Sequence, residues 1–166
     1  MDAKTPAQSQ IETRYMVMPQ HANPHKTLFG GQLMAWIDSV AAMVATRHSN
    51  RLCVTVSTDR VLFRHPVHVG DQLVLRSRVN YVGRTSMEIG VSAWVENPKT
   101  GEQKRTTTAY LTFVALDDEG RPTPVPPLEP TTESDQRRYE NAKIRVDHRR
   151  LLLERLKREE EDASSS

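Results

Sequence analysis

Apolar and polar positions alternate through the middle of the chain, from about residue 72 to 116, and take a wider spacing near its start. Residues 11–18, IETRYMVM, read as a short strand rich in β-formers. A polar loop containing Pro24 follows and runs into Gly30-Gly31. From Phe29 to about Arg47 the apolar residues, among them Leu33, Trp36, Ile37, Val40, Met43 and Val44, cover more than one helical face. That spread predicts a helix with most of its circumference buried. Four strands are predicted after it. Leu52–Phe63 ends at His65-Pro66 and the Val69-Gly70-Asp71 turn, and Gln72–Val82 alternates cleanly up to Gly83. Ser86–Glu96 alternates again and stops at Asn97-Pro98, and Gln103–Leu116 closes the set before the Asp118–Gly120 turn.

One long helix is the only cover available to such an antiparallel sheet, so the expected packing is α+β, with a curved sheet wrapped around a central helix. This domain is expected over residues 11–130, after a disordered stretch at 1–10. Past Gly120 the Pro-rich PTPVPPLEP reads as a stiff connector. Residues 131–166 are expected to form an exposed, charged C-terminal helix, with Leu151, Leu152, Leu153 and Leu156 as its main apolar content, and a disordered tail at ASSS.

Length and composition narrow the picture. The 166 residues allow one core of useful size, and 27% charged against 5% aromatic residues mark a soluble chain. A formal charge of +2 suits a phosphorylated small ligand and gives no case for nucleic acid. Cys53 is the only cysteine, which excludes an internal disulfide and favours a reducing compartment. The first ten residues lack the apolar core of a signal peptide, and no run is long enough to cross a membrane, so the expected location is the cytoplasm.

Particular residues then point to a family. Asn23, Phe29-Gly30-Gly31, Leu33-Met34, Trp36-Ile37-Asp38 and a helix ending at Arg47-His48 resemble the hotdog-fold acyl-CoA thioesterases of the cytosolic acyl-CoA hydrolase group. Phe63-x-x-Pro66-Val67, Val69-Gly70-Asp71, Val82-Gly83-Arg84-Thr85-Ser86-Met87 and Thr112-Phe113-Val114-Ala115-Leu116-Asp117 match in the same order. The resemblance implies the hotdog fold, a homodimer whose two sheets join edge to edge, and assembly into trimers of dimers. It also implies hydrolysis of acyl-CoA to free acid and CoA, with no metal and no cofactor beyond the CoA of the substrate. One departure is Lys26, three residues after the loop asparagine, where the family usually has glycine.

Thioester hydrolysis needs a polarised carbonyl, an activated water and a place for CoA. The unpartnered N–H groups at the helix start can supply the first, and Gly30 and Gly31 let a carbonyl oxygen approach closely. Asp38 lies seven residues beyond Gly31, on nearly the same face but about 10 Å farther along the axis. A carbonyl held at Gly31 is out of its reach on the same helix. Antiparallel helices across a dimer axis would remove the difficulty, giving composite sites built from Asn23 and Gly31 of one chain and Asp38 of its partner. Asp38 then serves as general base or nucleophile, Asn23 orients the water or the carbonyl, and Trp36, Ile37 and Val40 are expected to desolvate Asp38. For CoA, the expected contacts are Gly30, Val56, Ser57, Thr58 and the Gly83-Arg84-Thr85-Ser86 segment, with Arg60, Arg64, Arg137 and Arg138 as further phosphate candidates.

Other signals carry less. His21 and His25 have the spacing of a helical metal pair, but Pro24 stands between them and no H-E-x-x-H accompanies them, so no metal is expected. Gly30-Gly31-Gln32 spells the tripeptide of translation release factors, yet here an apolar helix starts at once. Cys53 sits in an apolar strand, and no G-x-S-x-G elbow is present. The second functional class is a non-catalytic hotdog module that binds acyl-CoA or a nucleotide. A hotdog dehydratase would need a His-containing motif that is missing near the helix.

Overall fold

The computed structural model describes residues 1–59 and 61–164. Its strands are β1 (Ile11–Met16), β2 (Leu52–Thr58), β3 (Leu62–Phe63), β4 (Gln72–Val82), β5 (Ser86–Glu96) and β6 (Gln103–Leu116). They form one sheet in the order β1-β4-β5-β6-β2, with β3 paired to β6 beyond the end of β2. Every pairing is antiparallel. The expected strand Leu52–Phe63 is therefore two pieces. Its register slips between Thr55 and Ser57, and the segment resumes at Leu62 opposite Thr108.

Period-2 patterning sorts the sheet into two faces. Leu73, Leu75, Met87, Ile89, Leu111 and Phe113 are fully or almost fully buried on the face that carries the long helix α2 (Gly30–Ser49). Against them α2 buries Leu33, Ile37, Val40, Ala41, Val44 and Ala45, a stripe at helical spacing. The rest of α2 is open: Met43 is 46% exposed, and Ala35 and Ser39 are exposed. A mostly buried circumference is thus not what a single chain provides. The curled antiparallel sheet around α2 is the hotdog architecture.

The other face carries α3 (Glu133–Ser164). Ala142 is fully buried there, Tyr139 packs on Tyr81, and Arg145 lies 3.7 Å from the centroid of the Tyr110 ring. Ion pairs complete the docking. Arg145 donates to both carboxylate oxygens of the buried Glu88 (2.6 and 3.1 Å), Arg78 pairs with Asp135, and Arg149 pairs with Asp59 at 2.9 Å. Leu151, Leu152, Leu153 and Leu156 stay exposed on the distal half.

Two expectations about the ends are corrected. Residues 1–10 are not disordered throughout. A four-residue helical turn, α1 (Pro6–Ser9), is followed directly by β1, and both Pro6 and Ser9 are buried. Lys4 is the reason. Its backbone bonds Pro127 and Glu129 of the connector, while its Nζ donates to the carbonyls of Arg47 and His48, the unpaired C-terminal end of α2. Ser9 Oγ meets His48 Nδ1 at 2.9 Å, and His48 Nε2 donates to the Pro126 carbonyl at 3.0 Å. At the other terminus α3 continues through Ala163 and Ser164, and Ser165 and Ser166 lie outside the described residues.

Candidate active site

The loop before α2 is built around Asn23. Its Oδ1 accepts from the backbone N–H groups of His25 (2.9 Å) and Thr27 (3.2 Å), while its Nδ2 donates to Thr27 Oγ1 at 2.9 Å. An Asx-type turn of this kind needs a short side chain with an acceptor, which explains an asparagine here. Backbone bonds from Asn23 to the Thr27 carbonyl and from Phe29 to the His21 carbonyl fold the loop back onto the start of the helix. Lys26 takes φ +61°, a left-handed conformation that glycine adopts at least cost. The loop therefore keeps a glycine-like shape with a lysine in it.

Phe29 occupies the N-cap position of α2 and makes no side-chain cap hydrogen bond, so the first N–H groups are left for another acceptor. Gly31 has a close neighbour. A Cβ there would come within 2.4 Å of the Phe29 ring, whereas one at Gly30 would make an ordinary 3.7 Å contact with Phe63. Beside the helix start lies a cavity of about 280 Å³, walled by Leu28, Leu33, Phe63, Val67 and Thr106 and opening at Gly30.

Asp38, two turns farther on, is half-buried and accepts a 2.7 Å hydrogen bond from Thr55 Oγ1 on β2. The neighbours expected to desolvate it face elsewhere. Ile37 and Val40 are fully buried in the core, and Trp36 stacks on Tyr15 with ring centroids 4.3 Å apart. Thr55 is a candidate site residue that sequence reasoning missed. Strand alternation places it with Cys53 on the helix-facing side, and a hydroxyl there is the natural partner for the helix's lone carboxylate. Of the expected neighbours, Val56 and Thr58 are exposed and Ser57 sits half-buried at the register slip.

Gly83-Arg84-Thr85-Ser86 forms the β4–β5 turn, closed by Gly83 N–H to the Ser86 carbonyl at 2.8 Å. Ala115 and Val125 bond the Thr85 and Arg84 carbonyls, which ties the turn to the end of the sheet where β2 begins. A 20-residue helix spans about 30 Å. Within one chain the turn is thus near the tail of α2, far from Gly31 at its head. The fold brings Asn23, Gly30 and Gly31 together at one end, Asp38 with Thr55 in the middle, and Arg84 with Thr85 and Ser86 at the other. Arg64 borders the cavity beside Gly30, Arg137 and Arg138 lie on α3, and Arg60 is outside the described residues. Among the described residues, no group of three or more His, Cys, Asp or Glu is placed to hold a metal ion, and no helix is long and apolar enough to cross a membrane.

Residues 25–102 match the model of the thioesterase superfamily. The uncharacterized acyl-CoA thioester hydrolase YkhA of Bacillus subtilis is 41% identical over 143 residues, which cover 86% of this chain and 83% of that protein. The chain belongs to the hotdog-fold acyl-CoA thioesterases. Two solved structures extend the likeness of this thioesterase to its whole length. The acyl-CoA hydrolase of Staphylococcus aureus, in complex with butyryl coenzyme A, coenzyme A and coenzyme A disulfide, superposes with a TM-score of 0.90 at 37% identity, covering 98% of this chain and 99% of that one. An apo-hexameric acyl-CoA thioesterase gives a TM-score of 0.89 at 40% identity over 92% and 98%. The Staphylococcus aureus hydrolase has also been solved as three alanine mutants, of an asparagine, of an aspartate 15 positions later and of a threonine 17 positions beyond that.

Proposed function

We propose that this thioesterase hydrolyses acyl-CoA in composite sites shared by two protomers, with Asp38 activating the water. The observation that carries the reading is the hydrogen bond from Thr55 to Asp38. It holds the carboxylate on the helix face beside β2, and β2 is an edge strand with one side unpaired. A second copy added at that edge meets Asp38 first, and the open face of α2 around Met43 lies beside it. The partner's uncapped helix start then receives the thioester carbonyl. Asn23, Asp38 and Thr55 stand 15 and 17 positions apart, the same two separations as the residues replaced in the Staphylococcus aureus hydrolase.

Each residue has a chemical part. The N–H of Gly31 polarises the carbonyl, and Asn23 Nδ2, with one of its two hydrogens given to Thr27, directs the second to the carbonyl or the water. Asp38 removes a proton from water as general base, and Thr55 fixes which carboxylate oxygen is presented. The cavity beside Gly30 takes the start of the acyl chain. The CoA phosphates reach toward Arg84, Thr85 and Ser86 of the protomer that supplies Asp38, because antiparallel helices bring the far end of one alongside the head of the other. The natural location of such an enzyme is the cytoplasm, and hexameric assembly follows from the hexameric relatives.

Complementation tests the shared site. Asn23→Ala and Asp38→Ala proteins should each release almost no thiol from acyl-CoA. Subunit exchange between them should restore about a quarter to a half of wild-type activity, since each mixed dimer regains one intact site of two. Verified heterodimers with no activity would overturn the composite arrangement. A wild-type protein that binds acyl-CoAs of every length yet releases no thiol would instead be a binding module.

A further inference from the structure

A cavity of about 620 Å³ opens on the sheet face that carries α3, away from the helix start and Asp38. Its floor is the outward face of β4, β5 and β6. Arg78, Gly90 and Tyr110 stand in one row across β4, β5 and β6, and Arg76, Ser92 and Thr108 stand in the next. Gly90 lets the Asn80 side chain cross over it, since a Cβ there would lie 2.3 Å from Asn80 Nδ2.

The rim is cationic. Arg76, Arg78, Arg105 and Arg138 all border the cavity. Glu12 answers Arg76 at 2.9 Å and Asp135 answers Arg78, while Arg105 and Arg138 have no carboxylate within ion-pair distance among the described residues. Arg78 keeps a further buried donor, Nε, that no protein group accepts. Arg138 is exposed overall, yet partial burial, and then the like charges of Arg78 and Arg137, hold its guanidinium below the usual arginine range. Trp94 holds two of the arginines, with Arg76 and Arg105 at 5.4 and 5.9 Å from its ring centroid, and Tyr110 is faced by Arg145. The aromatic faces thus orient guanidinium groups and leave no open platform for a flat base.

We propose that this bowl is a second binding site, specific for a compact phosphate-bearing molecule held by the arginine rim. An unbalanced pair of positive charges suits a phosphate group of charge near −2 better than a single carboxylate, and guanidinium forks match phosphate oxygens in geometry. Ser92 and Thr108 on the floor offer two hydroxyls that donate to its remaining oxygens.

Equilibrium dialysis with radiolabelled pyrophosphate at fixed ionic strength tests the assignment. The wild-type protein should bind one pyrophosphate per chain at this site. The double variant Arg105→Gln/Arg138→Gln should bind it about tenfold or more weakly, with melting temperature unchanged. Ser92→Glu, which places a carboxylate on the floor, should abolish binding by itself, and Arg84→Gln should leave it intact. Equal binding by wild type and double variant, loss of binding in Arg84→Gln, or no wild-type binding at millimolar pyrophosphate would each overturn the proposal. So would a change in oligomeric mass of the double variant without pyrophosphate binding, because the bowl would then hold an acidic side chain of a second copy.

Discussion

Asn23 has two jobs that can be pulled apart. Its carbonyl oxygen organises the loop, and its amide group is the donor proposed to act on the substrate. Asn23→Asp keeps the acceptor and removes the donor. We expect the melting temperature to hold within a few degrees while kcat falls by about 10²-fold or more, as measured by calorimetry beside the thiol assay. An equal loss of fold and activity would leave the residue a purely structural part. Lys26 offers the converse. Its φ of +61° costs about 1–2 kcal/mol for an L residue, of which glycine would return part to chain entropy, so Lys26→Gly should stabilise by about 0.5–1 kcal/mol in denaturant titrations. The family resemblance made Lys26 legible as a departure from an expected glycine, but could not say which side would yield. Backbone shape held and the lysine accepted the strain. Thr55 stayed hidden for a different reason. Nothing local marks one threonine among the hydroxyls of VTVST, and only the packing of α2 on β2 selects it.

Between elements, buried ionisable groups do the joining. Glu88 is fully buried and its charge is matched by Arg145 of α3, which is itself sandwiched against Tyr110. Arg145→Ala strands that carboxylate and should cost about 3–5 kcal/mol in equilibrium unfolding, whereas Glu88→Gln with Arg145→Met should recover most of the loss. His48 joins α1, α2 and the connector, facing Ser9, the Pro126 carbonyl and the Lys4 ammonium. Burial lowers its pKa below the ordinary imidazole value of about 6.5, Lys4 adds to that direction, and the bond to Pro126 opposes it. The folded chain therefore keeps His48 neutral where the unfolded chain takes up a proton. Its contribution to stability is complete above about pH 6.5 and is lost as the solution is acidified toward the folded-state pKa. Melting temperature should fall between pH 7.5 and 5.5, and His48→Asn should flatten that slope. Strands β4, β5 and β6 were readable to the residue because one face is predominantly apolar. The α3 contacts were not, since a helix so rich in charge looks solvated until the acidic and basic partners on the sheet are in place.

At the scale of the whole molecule, the proposed parts of the site do not meet within one chain. The head of α2, its middle and the β4–β5 turn are strung along about 30 Å, farther than a thioester can span. The single-chain sequence contains every proposed part but not their meeting place, and that is why the composite site had to be argued from helix length. A free edge at β2 and an open flank on α2 give the second copy somewhere to go. The charge excess on the far face, by contrast, left no trace in the linear order, because Arg76, Arg105 and Arg138 converge only after three strands and a helix are assembled.

The last turn of the central helix is tied to the N-terminal segment. Lys4, Ser9 and the proline-rich connector grip it through the Arg47 and His48 carbonyls and the His48 ring. A bulky fusion placed directly ahead of Lys4 should loosen that mooring and lower the melting temperature read by calorimetry.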